Sequence, residues 1–194
     1  MTSRTFIASS LAFATMLAVS LVAQNNPPAT PDISNIPAPR GVYYHATSGW
    51  ISLAPKVLMP LFDERHLALE ILNVGSDHTL THLAGRRAGV QIGNDARPTF
   101  YLHGIDPGDL YLVHFESRHA YREARMTTSR HFWDWTHYRN EDVTDFEIAA
   151  VNGDVVAIRP AADLKPGEYV LASGLGEGYQ SLQMGFDFGI LGGQ

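Results

Sequence analysis

The feature of this sequence that most constrains its fold is a polar turn that leads into an apolar run, at residues 164–171. Pro166 and Gly167 form the turn, because proline fixes φ at one turn position and glycine permits positive φ at the next. In the run that follows, Tyr169 and Leu171 are two residues apart, so an extended chain places both on one face. The stretch therefore predicts a tight turn that starts a half-buried strand.

This stretch resembles the tyrosine corner of immunoglobulin-like sandwiches, in which a tyrosine starting a strand bonds through its hydroxyl to upstream backbone. The resemblance implies that the Tyr169 hydroxyl bonds to backbone between Ala161 and Lys165. The other interpretation is an ordinary turn before a strand with a half-buried tyrosine. We prefer the corner, because the segments on both sides also have strand patterns.

Short strands with turns between them account for most of the remaining chain. Residues 42–45 and 50–53 flank a glycine-containing turn, which predicts a hairpin. Asn152-Gly153 predicts a second hairpin, since both residues tolerate positive φ. The other predicted strands are at residues 89–92, 97–102, 111–115, 146–148, 155–158 and 182–190. This number and spacing of strands predicts a mainly β protein, an antiparallel immunoglobulin-like β-sandwich.

One segment fits two periodicities. The apolar residues within 55–74 match both a helical face and a strand alternation. Pro60 favours the start of a short helix at Leu61, which Gly75 would end. We therefore expect a short helix there, and at most one or two short helices in the whole fold.

The N-terminal segment has the pattern of a secretory signal. Arg4 precedes an uncharged, mostly apolar run at residues 6–22, and the small residue Ala23 follows. A positive start, an apolar run and a small residue at the cleavage point are typical of such signals. We predict a signal peptide at residues 1–23, with a secreted or periplasmic mature protein. A retained membrane anchor is the alternative, but the run is short for a span.

The prolines of residues 24–40 predict a linker. Five of these residues are proline, which removes backbone donors and favours an extended, solvated chain. The predicted folded domain is then a single one, at residues 41–194.

Charge and cysteine content exclude several classes of function. Acidic side chains outnumber basic ones by 20 to 14, for a net charge of −6. Such a chain has no overall attraction for nucleic acid or for an anionic membrane. Because the chain has no cysteine, disulfides, thiol nucleophiles and zinc–thiolate sites are excluded. The expected partner is a protein or a carbohydrate, and no cofactor is expected.

Four short motifs occur in order along the chain. They are GVYY at 41–44, RPTFY at 97–101, YLVHF at 111–115 followed by Arg122 and Glu123, and LKPGEY at 164–169. This order resembles a loose group of uncharacterised secreted bacterial β-domain proteins. The resemblance implies export and a β-rich fold, and it implies no activity or site residue.

Histidines offer one candidate site. Nine are present, and His78 and His82 are four residues apart, on one face of either a helix or a strand. The candidate partners are His114, His119, His131 and His137. No His-Glu-x-x-His or similar motif occurs, so ordinary polar histidines are the preferred interpretation. A histidine-dependent metalloenzyme of the periplasm or exterior is the alternative function.

Aromatic residues offer the other candidate site. Trp133, Trp135 and Tyr138 lie within a short segment and are the predicted ligand-binding residues, because exposed aromatics stack sugar rings or anchor a partner. The competing interpretation is that they close one end of the core, and the two can coexist. We therefore expect an exported, non-enzymatic module with a binding or structural role.

The arginines just before this segment form a third pattern. Arg118, Arg122 and Arg125 lie in a run that also contains Glu116 and Glu123. We interpret them as a solvated strand face that carries ion pairs.

Overall fold

The described part of the chain is mainly antiparallel β-strand, as predicted. A computed structural model describes residues 33–61, 78–93, 95–129, 135–173 and 183–192. The strands are β1 (Gly41–Ala46), β2 (Gly49–Leu53), β3 (Pro55–Leu61), β4 (His78–Ala84), β5 (Gln91–Ile92), β6 (Phe100–His103), β7 (Leu110–Ser117), β8 (Tyr121–Ser129), β9 (Trp135–Tyr138), β10 (Val143–Thr144), β11 (Phe146–Asn152), β12 (Val155–Pro160), β13 (Gly167–Ser173) and β14 (Gln183–Ile190). Two 3₁₀ turns are described, at Ile33–Asn35 and Pro107–Asp109.

The first sheet has five strands in the order β11-β12-β6-β1-β2. It contains both hairpins predicted from the sequence, β1–β2 and β11–β12. The turns contain Gly49 and Gly153 with φ of 111° and 51°, a conformation that glycine adopts without steric cost. Local turn chemistry therefore accounts for both hairpins.

The second sheet closes on itself. Its strands follow the order β10-β7-β13-β14-β3-β4-β8-β9, and β8 also pairs back onto β7 through Glu116 with Glu123 and Ser117 with Arg122. The six strands from β7 to β8 thus form a closed barrel. The predicted β-sandwich has two open sheets, and this part of the prediction is wrong because one of the two sheets closes. It closes because β7 pairs with β13 along most of its length and with β8 at its end.

The five-stranded sheet packs against one wall of this barrel. The core between them contains Phe100 and Ile158 from the sheet, and Leu171 and Phe188 from the barrel wall. Tyr169 lies in the same core, so Tyr169 and Leu171 do share a face. The residues between them point the other way, since alternate side chains of a strand face opposite sides. Val170 and Ala172 therefore belong to a separate core inside the barrel.

The hydrogen bond predicted for the Tyr169 hydroxyl is present. Tyr169 is buried, and its hydroxyl donates a hydrogen bond to the Lys165 carbonyl oxygen at 2.9 Å. The expected positive φ at Gly167 is wrong, because the glycines with positive φ are at other positions. A side chain at Gly167 would instead approach His114, whose Nε2 lies 2.7 Å from where a Cβ would stand. Close packing, and not backbone conformation, favours glycine here.

Part of the predicted linker packs onto the domain. The Tyr43 hydroxyl donates to the Pro39 carbonyl oxygen at 2.7 Å, and His103 Nδ1 lies 3.0 Å from the Pro37 carbonyl oxygen. Arg40 donates to the Gly104 carbonyl oxygen, and Ile36 packs against the outer face of the five-stranded sheet. The folded unit therefore starts before Gly41. Proline lacks a backbone N–H donor, but its carbonyl oxygen still accepts hydrogen bonds, and Pro37 and Pro39 hold the segment in this way.

The predicted helix at Leu61 is wrong at its start. Residues Pro55–Leu61 form strand β3, which pairs with β14 and β4. Pro60 is tolerated in this strand, and the remainder of the predicted helix lies outside the described residues. Within the ranges that the structure describes, no helix is long and apolar enough to cross a membrane.

Candidate functional site

The most unusual group in the structure is an arginine buried inside the barrel. The Arg122 side chain is 0% exposed. Its Nη2 lies 2.8 Å from Asp187 Oδ2, and its Nη1 lies 3.4 Å from Glu168 Oε2. Its Nε donates to the Gly85 carbonyl oxygen at 3.0 Å, and Nη2 also reaches the Ala84 carbonyl oxygen at 3.3 Å. Four acceptor groups, two carboxylates and two backbone carbonyls, thus surround the guanidinium.

The two carboxylates around Arg122 have further partners. Lys56 Nζ lies 2.9 Å from Asp187 Oδ2. Glu168 accepts from the backbone N–H of Ala88 at 2.6 Å and from Gln91 Nε2 at 3.2 Å. We call Arg122, Asp187, Glu168 and Lys56 the interior charge cluster.

The interior charge cluster has two positive and two negative side chains, so its formal charge is zero. Burying an unpaired charge costs several kcal/mol, and pairing offsets that cost only when the remaining donors and acceptors are also satisfied. The contacts of the cluster meet that condition, which favours a structural role at this end of the barrel.

The sequence interpretation of Arg122 as a solvated residue is wrong. Arg122 shares one face of β8 with Ala124 and Met126, and all three point into the barrel. That alternation is visible in the sequence and signals that position 122 lies on an apolar face. The charged residues on both sides of Arg122 in the sequence favoured the solvated interpretation instead.

Ion pairs do occur in this part of the sequence, as predicted, and they join the ends of β7 and β8 on the outer side of the barrel. Arg118 Nε lies 2.6 Å from Glu123 Oε1, and Arg118 Nη2 lies 2.5 Å from Glu116 Oε2. The Arg118 side chain is 41% exposed, so solvent screens this part of the network.

His82 lies beside Glu123 on the outer face of the barrel. Its ring stacks on Tyr121 with centroids 4.5 Å apart, and its Nε2 lies 3.5 Å from Glu123 Oε2. This nitrogen is buried and has no hydrogen-bond partner among the described residues. Burial lowers the pKa of His82, because it disfavours the imidazolium, and the Glu123 carboxylate opposes this only in part.

This arrangement predicts a pH dependence of stability. A lowered pKa in the folded state means that the unfolded chain binds the proton more readily. The contribution of His82 is then fully present above its ordinary pKa of 6.5 and is lost as the pH falls below it. We expect the denaturation midpoint to fall between about pH 7.5 and 5.5.

His82→Phe retains a ring for Tyr121 and removes the titration, so its midpoint should fall less over the same interval. His137 is exposed, and His137→Phe should behave like the unchanged protein. An equal fall for the His82 variant would show that this residue does not carry the effect. Denaturant melts at the two pH values measure it.

The candidate metal ligands are not brought together in the described part of the chain. His82 stacks on Tyr121, His114 packs against Tyr169 with ring centroids 5.1 Å apart, and His119 is exposed. His131 lies outside the described residues. Across the ranges that are described, no three histidine, aspartate or glutamate residues form a group that could hold a metal ion.

The predicted ligand-binding aromatics have different positions. Trp133 lies outside the described residues, and Trp135 is the first residue of β9. Tyr138 ends β9 and is 2% exposed, within the barrel core. Its hydroxyl donates to Gln183 Oε1 at 3.3 Å, and burial raises the pKa of the phenol. Tyr138 therefore packs in the core, as the competing interpretation expected for this segment, whereas the role of the two tryptophans stays a prediction.

The chain was compared with protein-family models, with curated proteins and with solved structures. None of the three comparisons finds a significant match.

Proposed function

We propose that this protein is an exported, non-enzymatic β module that binds a protein or a carbohydrate. Export rests on the signal pattern of residues 1–23 and places the mature protein in the periplasm or outside the cell. We also propose that the fold is immunoglobulin-like in one region, the layer between the five-stranded sheet and the barrel wall. The Tyr169 hydrogen bond to Lys165 lies in this layer and supports the proposal.

The interior charge cluster supports a scaffold role for the barrel. Arg122 and Asp187 are 0% and 4% exposed, and the acceptors around Arg122 are other parts of the fold. Groups held in this way stabilise one arrangement of the strands and are not free to transfer protons to a substrate. A catalytic acid or base needs an accessible atom within hydrogen-bond reach of the reacting group.

The pairing of β9 with β8 is the observation that carries the binding proposal. β8 and β9 pair from Met126 with Tyr138 to Ser129 with Trp135, so residues 130–134 join two neighbouring strands. Tyr138, at the other end of β9, is held in the barrel core and so anchors this strand. A connection fixed on a rigid scaffold is a common location for binding residues. Of the two tryptophans, Trp133 belongs to this connection and Trp135 directly follows it as the first residue of β9.

The proposal is tested by replacing both tryptophans with alanine. We expect Trp133→Ala/Trp135→Ala to lose retention on insoluble polysaccharides such as chitin and cellulose, or on an immobilised partner protein, while the thermal midpoint changes little. If the rings instead close the core, the double variant should lose about 3–5 kcal/mol per ring, as for other large-to-alanine core changes.

Trp50 provides the matched control. It packs edge-on against Tyr101 with ring centroids 5.1 Å apart, on the other sheet. Trp50→Phe should leave retention unchanged. Loss of retention in this variant as well would indicate a general defect, and a strongly destabilised double variant would contradict the binding platform.

A further inference from the structure

Strand β11 is a free edge of the five-stranded sheet. Among the described strands it pairs only with β12. Its residues 147–150 are exposed, and the strand contains neither proline nor lysine, although it has Glu147 and a bulge at Val151. Edge strands normally carry such residues, because their free N–H and C=O groups can pair with another chain.

The edge leaves an apolar side chain uncovered on its core-facing side. Ile148 pairs with Ile158, which pairs in turn with Phe100, and both partners are buried in the core beneath the sheet. Directly opposite residues of neighbouring strands project to the same face. Ile148 therefore faces the same side as that core, yet it is 54% exposed. The sheet extends beyond the barrel wall that covers the rest of it.

Ile148 is the central residue of the regular part of β11. A shift of register occurs between Ala150 and Asn152, so the regular ladder covers residues 146–150 and is centred on Ile148. In an antiparallel pair of two such strands, Ile148 is opposite its own copy, and Glu147 is opposite Ala149. No two like charges meet, whereas like charges directly opposite would disfavour the pairing.

We propose that β11 pairs with β11 of a second copy of this chain, antiparallel, about a two-fold axis through Ile148. Such an interface uses the same surface on both subunits, as two-fold dimers do. It satisfies the free backbone groups of both edges and buries the two Ile148 side chains against each other. The two five-stranded sheets become one continuous sheet. This inference goes beyond the proposed function and does not depend on a ligand.

The absence of cysteine from the sequence provides a direct test. Ile148→Cys introduces one thiol, and directly opposite residues of an antiparallel pair have Cα atoms about 4.5–5.5 Å apart. This separation lies within the range of about 4.4–6.8 Å that a disulfide requires. We expect mild oxidation to convert this variant to a covalent dimer, seen on a non-reducing gel.

Two controls test whether the crosslink reports this register. Met59→Cys places a thiol at a more exposed position, 65%, on β3, and should stay monomeric under the same conditions. Ala149→Cys is on the neighbouring position of β11 and is opposite Glu147 in the proposed register, so it should crosslink much more slowly. Equal crosslinking of all three variants would reflect random collision and would overturn the proposal.

Sedimentation of the unmodified chain tests the interface without a crosslink. We expect a concentration-dependent equilibrium between monomer and dimer. Ile148→Lys places two positive charges opposite each other, and it should raise the dissociation constant by about tenfold or more. Val57→Lys, at an exposed position of β3, should leave it unchanged. A chain that stays monomeric at all concentrations, or a dimer unaffected by Ile148→Lys, would overturn the proposal.

Discussion

Arg122→Ala is expected to cost about 3–5 kcal/mol of the free energy of unfolding, the range for removing one partner of a buried ion pair. The loss arises because Asp187 and Glu168 stay buried, at 4% and 6% exposure, without their main counter-charge. Among the described residues, Lys56 pairs with Asp187 and not with Glu168, so Glu168 would keep its backbone and amide donors alone. Denaturant melts measure the change.

Two other arginine variants define what is being lost. Arg122→Lys keeps a positive charge but loses the planar guanidinium that reaches several acceptors, so we expect an intermediate loss. Arg118→Ala removes an arginine of the same sequence region that is exposed, and it should change stability little. If Arg122→Ala were as mild as Arg118→Ala, the interior charge cluster would not stabilise the barrel.

Tyr169→Ala is the second large effect, at about 3–5 kcal/mol, as for other aromatic-to-alanine changes in a core. The ring stacks on Phe188 with centroids 5.7 Å apart and also contacts His114. Tyr169→Phe keeps that packing and removes only the hydrogen bond to Lys165. It should cost about 0.5–1.5 kcal/mol, the net contribution of an ordinary hydrogen bond, because the bond to the Lys165 carbonyl is only part-buried.

Tyr111 is the control for removal of a hydroxyl group. Its side chain is exposed, and Tyr111→Phe should be nearly neutral. Equal stability of Tyr169→Phe and Tyr111→Phe in thermal and denaturant melts would mean that the corner bond contributes nothing. A mild Tyr169→Ala would also contradict the assignment of this ring to the core between the sheets.

Local patterns were sufficient to predict the elements that depend on neighbouring residues. The hairpin at Asn152 and Gly153 follows from the φ that its turn requires, and the Tyr169 corner follows from a turn and an alternation within eight residues. The segment at residues 55–61 could not be settled in this way, because its apolar residues fit two periods. Pairing with β14 and β4 decides that it is a strand.

Barrel closure and the interior charge cluster depend on contacts between distant segments. Alternation shows which face of β7 is apolar, but it does not show that its last residues pair with β8. The burial of Arg122 was accessible in principle from Ala124 and Met126, which share its face. The sequence pattern does not indicate that Glu168 and Asp187 are its partners, because they lie 46 or more residues away along the chain.

The position of β14 has a consequence for the order of folding. This strand is the last described one in the sequence, yet it is a central strand of the barrel wall, paired with β13 on one side and β3 on the other. The contact that joins Lys56 to Asp187 spans 131 residues. The barrel cannot close until β14 is available, so a chain emerging from a ribosome or a translocation channel must hold β3 and β13 without one neighbour until then. Pairing of such distant segments is slow, because loop closure must precede it. Release of nearly the whole domain therefore precedes completion of the barrel.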